Sequence, residues 1–256
     1  MKSKFSSGAI LAILALLWLL PAAEALRPVL SKLHEQQFAA FDASLVRPLL
    51  NSIAVAIAGA AVWTLCAAPA GYALSRRQFG AGKLFFGVLI GLMFFPPVVL
   101  MAPIFVTTAR LGIYDSHAAL IAPSSLAAFA VVYAAVAARS IPKSVVDAAR
   151  IDGLGELAIF TRIVIPILRK PLAALFIIVF IGYWGALAWP MAVVDTPENF
   201  TLALTHLESS RSNLGNGSVL QSAFVAAAAI PVIVLFLVKP RDIIAGVVNT
   251  LANVKH

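Results

Sequence analysis

Six long stretches of this 256-residue chain contain no aspartate, glutamate, lysine or arginine, and they constrain its fold more than any other feature. Each stretch holds about 20 residues or more, the length that an α-helix needs to cross a bilayer core of about 30 Å. Backbone amides find no water inside lipid, so such segments form helices rather than strands or open loops. We therefore predict a single-domain, all-α integral membrane protein, 1–256, with six transmembrane helices at about 5–26, 49–74, 84–109, 116–138, 171–194 and 216–238.

Composition and charge distribution support a membrane protein of defined orientation. Hydrophobic residues make up 61% of the chain and charged residues only 12%, which a soluble globule does not normally carry. Cytoplasmic loops retain lysine and arginine. With both termini inside, the cytoplasmic face holds 14 basic and four acidic residues, a net +10, and the outer face holds five basic and seven acidic residues, a net −2. The overall charge of +8 therefore records membrane orientation rather than nucleic-acid binding.

The N-terminal stretch allows a second interpretation. Lys2 and Lys4, the apolar run 9–20 and Ala23-Glu24-Ala25 resemble a signal peptide with its cleavage site. Cleavage would leave five helices, and the charge bias does not separate the two cases. The single Cys66 lies in an apolar stretch, so we expect a small core residue without an intramolecular disulfide.

One long charged interruption, residues 139–170, separates the fourth predicted membrane helix from the fifth. Ser144 followed by Asp147 is a capping-box variant behind Pro142, so we predict a helix that begins near Ser144 with Asp147 at its positive end. Asp147 and Arg150 stand three residues apart and can pair on the helix surface. Gly153 allows a left-handed turn that ends this helix.

A second helix is predicted beyond Gly153. Apolar residues recur at three- and four-residue steps and form a stripe, namely Leu157, Phe160, Ile163 and Val164. Pro166 is expected to bend the chain back toward the membrane. Two interpretations of the whole segment remain open on these patterns: an amphipathic stretch lying on the lipid surface, or a socket for a soluble partner.

The same segment resembles the EAA loop of ATP-binding-cassette importer permeases. Asp147-Ala148-Ala149 stand where the family has Glu-Ala-Ala, and Gly153 follows at the family spacing. The final Ile-x-Leu-Pro element is similar to residues 163–166 of this chain. Further likenesses are to the carbohydrate-uptake branch, in particular its smaller maltose-type subunit, and they lie at Asn51-Ser52, at 71–76, and at Trp184 with Trp189-Pro190.

This resemblance implies a cytoplasmic coupling helix between the fourth and fifth transmembrane helices, seated in a groove of a separate ATPase. The residues it assigns to coupling are Ser144, Asp147, Ala148, Ala149, Arg150, Asp152, Gly153, Phe160, Ile163 and Pro166. It also implies an uncleaved first helix, a bacterial or archaeal inner membrane, and import of a sugar, polyol or related solute by alternating access. The implied partners are a second homologous permease subunit, two ATPase subunits that bind ATP and Mg, an external substrate-binding protein and membrane lipid.

Several further expectations concern function. The chain carries no GxxxxGK[ST] phosphate loop, so we expect no ATP hydrolysis, catalytic residue, metal or cofactor in it. Polar groups at membrane depth avoid lipid, which makes Tyr183, Trp184 and Gln221, and less strongly Tyr72 and Tyr133, candidates for the translocation pathway or for helix-to-helix contacts. Similar permeases place an asparagine and an acid after the tryptophan, where this chain has Gly185 and Ala186. His117 and His206 are expected to be solvated loop residues.

Two other function classes fit the sequence less well. A self-sufficient secondary transporter needs ion-coupling carboxylates within its spans, and the six apolar stretches contain none. A membrane enzyme needs a nucleophile, base and acid at membrane depth, and no such set is evident. The C-terminal Ile244-Ala245-Gly246 is similar to a family element that leads a tail toward the ATPases.

Overall fold

The computed structural model describes residues 43–76, 82–122, 127–211, 224, 227–229 and 231, and its regular elements there are helical. They are α1 (Ala43–Ser75), α2 (Gly82–Met93), α3 (Pro97–Arg110), α4 (His117–Ile121), α5 (Ala127–Ala138), α6 (Lys143–Ile151), α7 (Glu156–Ile159), α8 (Ile165–Trp184), α9 (Ala188–Val193) and α10 (Leu202–Arg211). A π-helical segment, Phe160–Val164, joins α7 to α8. The predicted helix 5–26, the loop that follows it and most of 216–238 lie outside the described residues.

Membrane-spanning elements are present in the described part of the chain. Leu45–Ser75 and Glu156–Trp184 are each long and apolar enough to cross a bilayer. Two bent pairs, α2 with α3 and α5 with α6, raise the number of possible spans to four if each pair crosses as a unit. The expectation of an all-helical membrane protein is therefore confirmed for these residues.

The prediction of one uninterrupted helix over 84–109 is wrong. The helix is broken between α2 and α3, whose axes differ by 104°. Pro96 and Pro97 lie at this break, and neither offers a backbone N–H for a helical hydrogen bond. The residue before a proline is also pushed away from the α region, which ends α2 ahead of Pro96.

The boundaries of two other predicted helices also differ. The predicted helix 116–138 is interrupted, because α4 ends at Ile121 and α5 begins at Ala127. The predicted helix 171–194 instead begins at Glu156 and ends at Trp184. The charged side chains at 162, 169 and 170 led to a predicted start that is too late, because a helix that continues beyond the lipid can carry charges in its turns outside the lipid.

The core is formed where α1 packs against α5 and α8. Its shared surface consists largely of small residues, among them Ala60, Ala67, Ala134 and Ala138. A Cβ placed on Gly71 of α1 would lie 2.6 Å from both the Cβ of Ala134 and the backbone nitrogen of Ala135. Close backbone approach through small residues is the usual source of helix association in lipid, where water does not drive the helices together.

Cys66 does not belong to this core. It lies on α1 but its side chain is exposed, as is the neighbouring Leu65. The expectation of a small core residue is therefore wrong. A uniformly apolar helix with no polar face gives no sequence signal for which side packs inward.

The N-terminal part of α1 holds the start of α10. The Asn51 amide donates to the carbonyl oxygens of Glu198 (2.8 Å) and Phe200 (3.0 Å). The Ser52 hydroxyl accepts from the Leu202 N–H, the first of α10, at 2.7 Å. The first N–H groups of a helix have no partner within the helix, so these two side chains satisfy buried polar groups that would otherwise be costly.

A second set of long-range hydrogen bonds, the Asp115 clamp, was missed in the sequence and joins two loops. The Asp115 carboxylate accepts from the N–H groups of Asp195 (3.0 Å) and Thr196 (3.1 Å) and from the Thr196 hydroxyl. The Asn199 amide donates to the Asp115 carbonyl at 2.7 Å. The hydrogen bond from the Thr196 hydroxyl is the main cause that holds the pKa of Asp115 below its ordinary value. Asp115 also adopts a left-handed backbone, with φ of 55°.

Candidate functional site

The turn of the charged segment is built around Gly153. Helix α6 ends at Ile151 with Asp152 as its C-cap, and Gly153 adopts φ of +82°. The N–H of Gly153 bonds the Arg150 carbonyl and the N–H of Leu154 bonds the Ala149 carbonyl, each at 3.0 Å. This pattern is a Schellman motif. The predicted glycine stop is confirmed, and because a Cβ there would meet no atom within 4 Å, only the backbone conformation requires glycine.

The predicted start of this helix near Ser144 is confirmed to within one residue, but the predicted serine cap is wrong. Helix α6 begins at Lys143, Pro142 occupies the N-cap position, and no side chain caps the helix. Ser144 therefore lies inside the first turn, and Asp147 lies beyond it rather than at the positive end. The fixed φ of Pro142, −58°, places the N-cap two residues earlier than a cap at Ser144 would.

Arg150 bridges the two sides of the glycine turn. Its Nη1 lies 3.3 Å from Asp147 Oδ1, which agrees with the predicted pair. Its Nε also donates to Glu156 Oε1 at 2.8 Å. Glu156 is the first residue of α7, so a single guanidinium connects α6 to α7. The sequence spacing did not suggest this second bond, because it crosses a turn rather than a helix face.

The segment has one side in the core and another in solvent. Val146, Ala149, Ile159 and Val164 are buried. The Phe160 ring lies 5.9 Å from the ring of the buried Tyr72 on α1. Phe160 and Ile163 pack against the core as the predicted stripe requires. Leu157 does not, because it is 77% exposed.

Three large apolar side chains project from the solvent side of the segment. Ile151 is 87% exposed, Leu157 is 77% exposed and Val145 is 40% exposed. They flank the glycine turn, together with the exposed Ala148 and Asp152. Exposed apolar groups next to a rigid turn are typical of a protein contact surface.

Pro166 does not interrupt the helix. The helix continues from Glu156 to Trp184 as one candidate span of 29 residues. The N–H of Ile165 bonds the Phe160 carbonyl five residues back, so the turn before the proline is wide. A wider turn makes room for the proline ring.

Tyr183 and Trp184 lie at the other end of this helix, and both use their polar atoms to join helices. The Tyr183 hydroxyl donates to the Ile121 carbonyl (2.7 Å) and accepts from the Trp63 indole (2.8 Å). The Trp184 indole donates to the Ala228 carbonyl at 2.9 Å. Gln221 lies outside the described residues. Tyr133 is buried, with its ring 5.9 Å from that of Phe129.

A cavity of about 240 Å³ opens beside this helix end. Gly182, Tyr183 and Leu187 line one side, and Met101 of α3 and Thr201 contribute to it from elsewhere. Trp184 is not part of its lining. The walls are mainly apolar. Of the predicted pathway residues that the structure describes, only Tyr183 faces this space.

The two predicted loop histidines are on helices. His117 opens α4 and His206 lies within α10, and both are half-buried. The His206 ring is 5.2 Å from Phe224. One ring nitrogen of each is buried without a hydrogen-bond partner in the described part of the chain. In the part of the chain that the structure describes, no three or more histidine, cysteine, aspartate or glutamate side chains lie together where they could hold a metal ion.

Comparisons with known proteins identify the family. Residues 64–249 match the binding-protein-dependent transport system inner membrane component family. The chain is 29% identical over 217 residues to the lactose transport system permease protein of Rhizobium radiobacter, covering 83% of this chain and 78% of that protein. It is 31% identical over 205 residues to the arabinooligosaccharides transport system permease protein of Halalkalibacterium halodurans, covering 80% and 72%.

The fold is also known from a solved structure. A chain of a bacterial ABC transporter involved in the import of the acidic polysaccharide alginate superposes with a TM-score of 0.76, at 20% sequence identity, covering 93% of this chain and 96% of that one. The predicted resemblance to importer permeases is thus confirmed. The chain belongs to the family of binding-protein-dependent transport system inner membrane components, and it is a transport permease of an ATP-binding-cassette importer rather than an enzyme.

Proposed function

We propose that this permease imports an oligosaccharide or a related sugar or polyol, driven by a separate ATPase that contacts the segment 139–170. The solute class is supported by two relatives, the permease proteins of a lactose and of an arabinooligosaccharides transport system. The coupling role depends on one observation. The exposed turn at Gly153 leads without a break into the helix Glu156–Trp184, whose far end lies at the cavity.

The proposed membrane arrangement has six spans with both termini in the cytoplasm of a bacterial or archaeal cell. The predicted helix 5–26 is the first span and α1 is the second. The bent pair α2 and α3 forms the third, and α4 with α5 forms the fourth. The long helix ending at Trp184 is the fifth, and the predicted helix 216–238 is the sixth. Helix α6 is then the cytoplasmic coupling helix, and residues 1–256 form one domain.

The proposed contact with the ATPase is apolar at its centre. Ile151, Leu157 and Val145 project from the turn and fit an apolar groove. Arg150 is bonded to Asp147 and Glu156, so its role is to hold α6 and α7 in one geometry. Desolvated apolar anchors contribute most to protein interfaces, whereas exposed ion pairs contribute little.

The proposed movement is rigid-body rotation. A push on the turn acts on α7, the π segment and α8 together, because they form one helix. Closure of two ATPases would then tilt this helix and change the cavity beside Tyr183, which gives alternating access. Two ATPase subunits that bind ATP and Mg, a second permease subunit and an external substrate-binding protein complete the proposed transporter.

Two glycines provide a matched test of the coupling role. Gly153 and Gly112 both have positive φ, +82° and +69°, and neither has an atom within 4 Å of an added Cβ. Valine at either position brings backbone strain of about 1–3 kcal/mol. We expect Gly153→Val to remain in the membrane and lose co-purification with the ATPase, and Gly112→Val, in the loop after α3, to retain it.

Equal loss of the ATPase in both variants would attribute the effect to general destabilisation and overturn the proposal. Normal ATPase recovery with Gly153→Val would also overturn it. The solute is tested separately, by measuring which oligosaccharides the cognate binding protein delivers to proteoliposomes that contain the whole transporter.

A further inference from the structure

Arg76 presents hydrogen-bond donors without an acceptor. It follows the last residue of α1, and its guanidinium carbon lies 4.8 Å above the centre of the Tyr72 ring. Its Nε and Nη2 atoms are buried and have no hydrogen-bond partner among the described residues. These two atoms form the edge of the guanidinium that binds two oxygens of a carboxylate or phosphate at once. Tyr72 is itself only 8% exposed, and its hydroxyl is also buried and unpaired there.

Two more cations lie at the same end of the helices. Helix α1 meets α5 at Gly71, which contacts Ala134 and Ala135, so Arg76 and Arg139 follow the ends of two helices that pack together. The Arg139 guanidinium carbon lies 4.7 Å above the Phe86 ring near the start of α2. Lys83 stands in the first turn of that helix.

No described carboxylate neutralises this group. Within the described residues, Arg76, Lys83 and Arg139 form no ion pair, and the nearby acids Asp147 and Glu156 are both bonded to Arg150. The three cations therefore form a positive site at one end of α1, α2 and α5.

An apolar surface begins directly beside these cations. Helix α2 has no buried residue among the 12 from Gly82 to Met93. Leu84 is 74% exposed, Phe85 is 55% exposed and Val88 is 51% exposed. At a rise of 1.5 Å per residue α2 extends for about 18 Å, close to the thickness of one leaflet of the bilayer core.

We propose that an anionic phospholipid of the inner leaflet binds at this place. Its phosphate accepts from Nε and Nη2 of Arg76, Lys83 and Arg139 add positive potential, and one acyl chain lies along α2. Basic sites between transmembrane helices on the cytoplasmic side bind lipid head groups in this manner. A carboxylate from a protein partner or a free phosphate would satisfy Arg76 but would leave the adjoining face of α2 without a role.

The test uses the full-length chain purified in detergent and analysed by native mass spectrometry with added phosphatidylglycerol. We expect Arg76→Gln, which keeps a polar side chain and removes the charge and both donors, to lower phosphatidylglycerol retention at least on the order of tenfold, because charge-assisted hydrogen bonds are lost. Arg76→Lys keeps the charge without the two-pronged edge, so its loss is expected to be smaller but measurable. Arg110→Gln, in the last turn of α3, is the matched control and should leave retention unchanged.

Other arms separate the alternative ligands. Phosphatidylcholine carries the same phosphate beside a choline cation, so the wild type should retain it less than phosphatidylglycerol, and excess inorganic phosphate should not displace phosphatidylglycerol. Leu84→Ser should weaken the lipid without altering phosphate binding. The proposal is overturned if Arg76→Gln retains the lipid normally, or if free phosphate displaces it. It is likewise overturned if Arg76→Gln and Arg76→Lys lose only the ATPase and keep the lipid, since Arg76 would then be a contact of that partner.

Discussion

The close approach of α1 and α5 at Gly71 predicts a large effect from one added methyl group. The Cβ of Gly71→Ala would lie 2.6 Å from the Cβ of Ala134 and from the backbone nitrogen of Ala135. Carbon atoms prefer separations of about 3.5–4.0 Å, so the two helices would have to move apart by about 1 Å. The obstacle includes backbone, and no rotamer change can relieve it.

The expected magnitude follows from two opposing terms. Overpacking a well-packed site costs about 1–3 kcal/mol. Replacing glycine by alanine inside a helix returns about 1 kcal/mol through helix propensity. We therefore expect Gly71→Ala to be destabilised by up to about 2 kcal/mol, which for a chain of this size lowers the unfolding temperature by about 4–8 °C.

Gly87→Ala is the matched control. Gly87 lies in α2, and a Cβ there would meet no atom within 4 Å. This variant keeps the gain in helix propensity without the clash, so its unfolding temperature should equal or exceed that of the wild type. Both variants are compared by thermal unfolding in detergent micelles. The packing argument would be refuted if Gly71→Ala unfolded at the same temperature as Gly87→Ala.

Three further predictions concern polar contacts. The pKa of Asp115 is held below its ordinary value of 3.8, so the stability that this carboxylate contributes is present above pH 3.8 and is lost as the pH falls through the lowered pKa. Asp115→Asn should therefore flatten the acid side of a plot of unfolding temperature against pH, and an unchanged plot would contradict the assignment. Glu156→Gln removes one partner of Arg150 on an exposed surface, so the unfolding temperature should hardly change while ATPase recovery in pull-downs falls, less than with Gly153→Val. Tyr183→Phe removes the shorter of two hydrogen bonds made by the Trp63 indole, which also donates to the Ile121 carbonyl at 3.3 Å, and it removes the bond from the Tyr183 hydroxyl to that carbonyl. The variant should lose about 0.5–1.5 kcal/mol for each bond in thermal unfolding, and an unchanged unfolding temperature would contradict the assignment.

Much of the fold could be predicted because few backbone structures can satisfy all of their hydrogen bonds inside lipid. Apolar length predicted helices, and the positions of basic residues predicted an orientation that remains part of the proposal. Gly153 was predicted correctly because its left-handed turn needs only local geometry, φ of +82°, with no neighbour involved. The resemblance around Asp147 and Pro166 identified the family for the same reason, since it is a pattern of neighbours along the chain.

Features that depend on two distant parts of the chain were not predictable. Cys66 is exposed because α5 and α8 cover the other sides of α1, and a uniformly apolar helix gives no sign of that choice. The Asp115 clamp joins residues about 80 positions apart, since it bonds Asp195 and Thr196. Glu156 was missed as a partner of Arg150 because the bond crosses a turn.

The sequence by itself determined that the chain crosses a membrane in helices. It also determined that a turn at Gly153 ends a short helix within the charged segment 139–170. Only the tertiary structure decided that this turn continues through Pro166 into the helix that reaches Trp184. The physical reason is that hydrophobicity and charge are properties of single residues, whereas continuity of a helix past a proline depends on the wide turn before it. That turn is held by buried contacts of Ile159 and Val164 with the rest of the core.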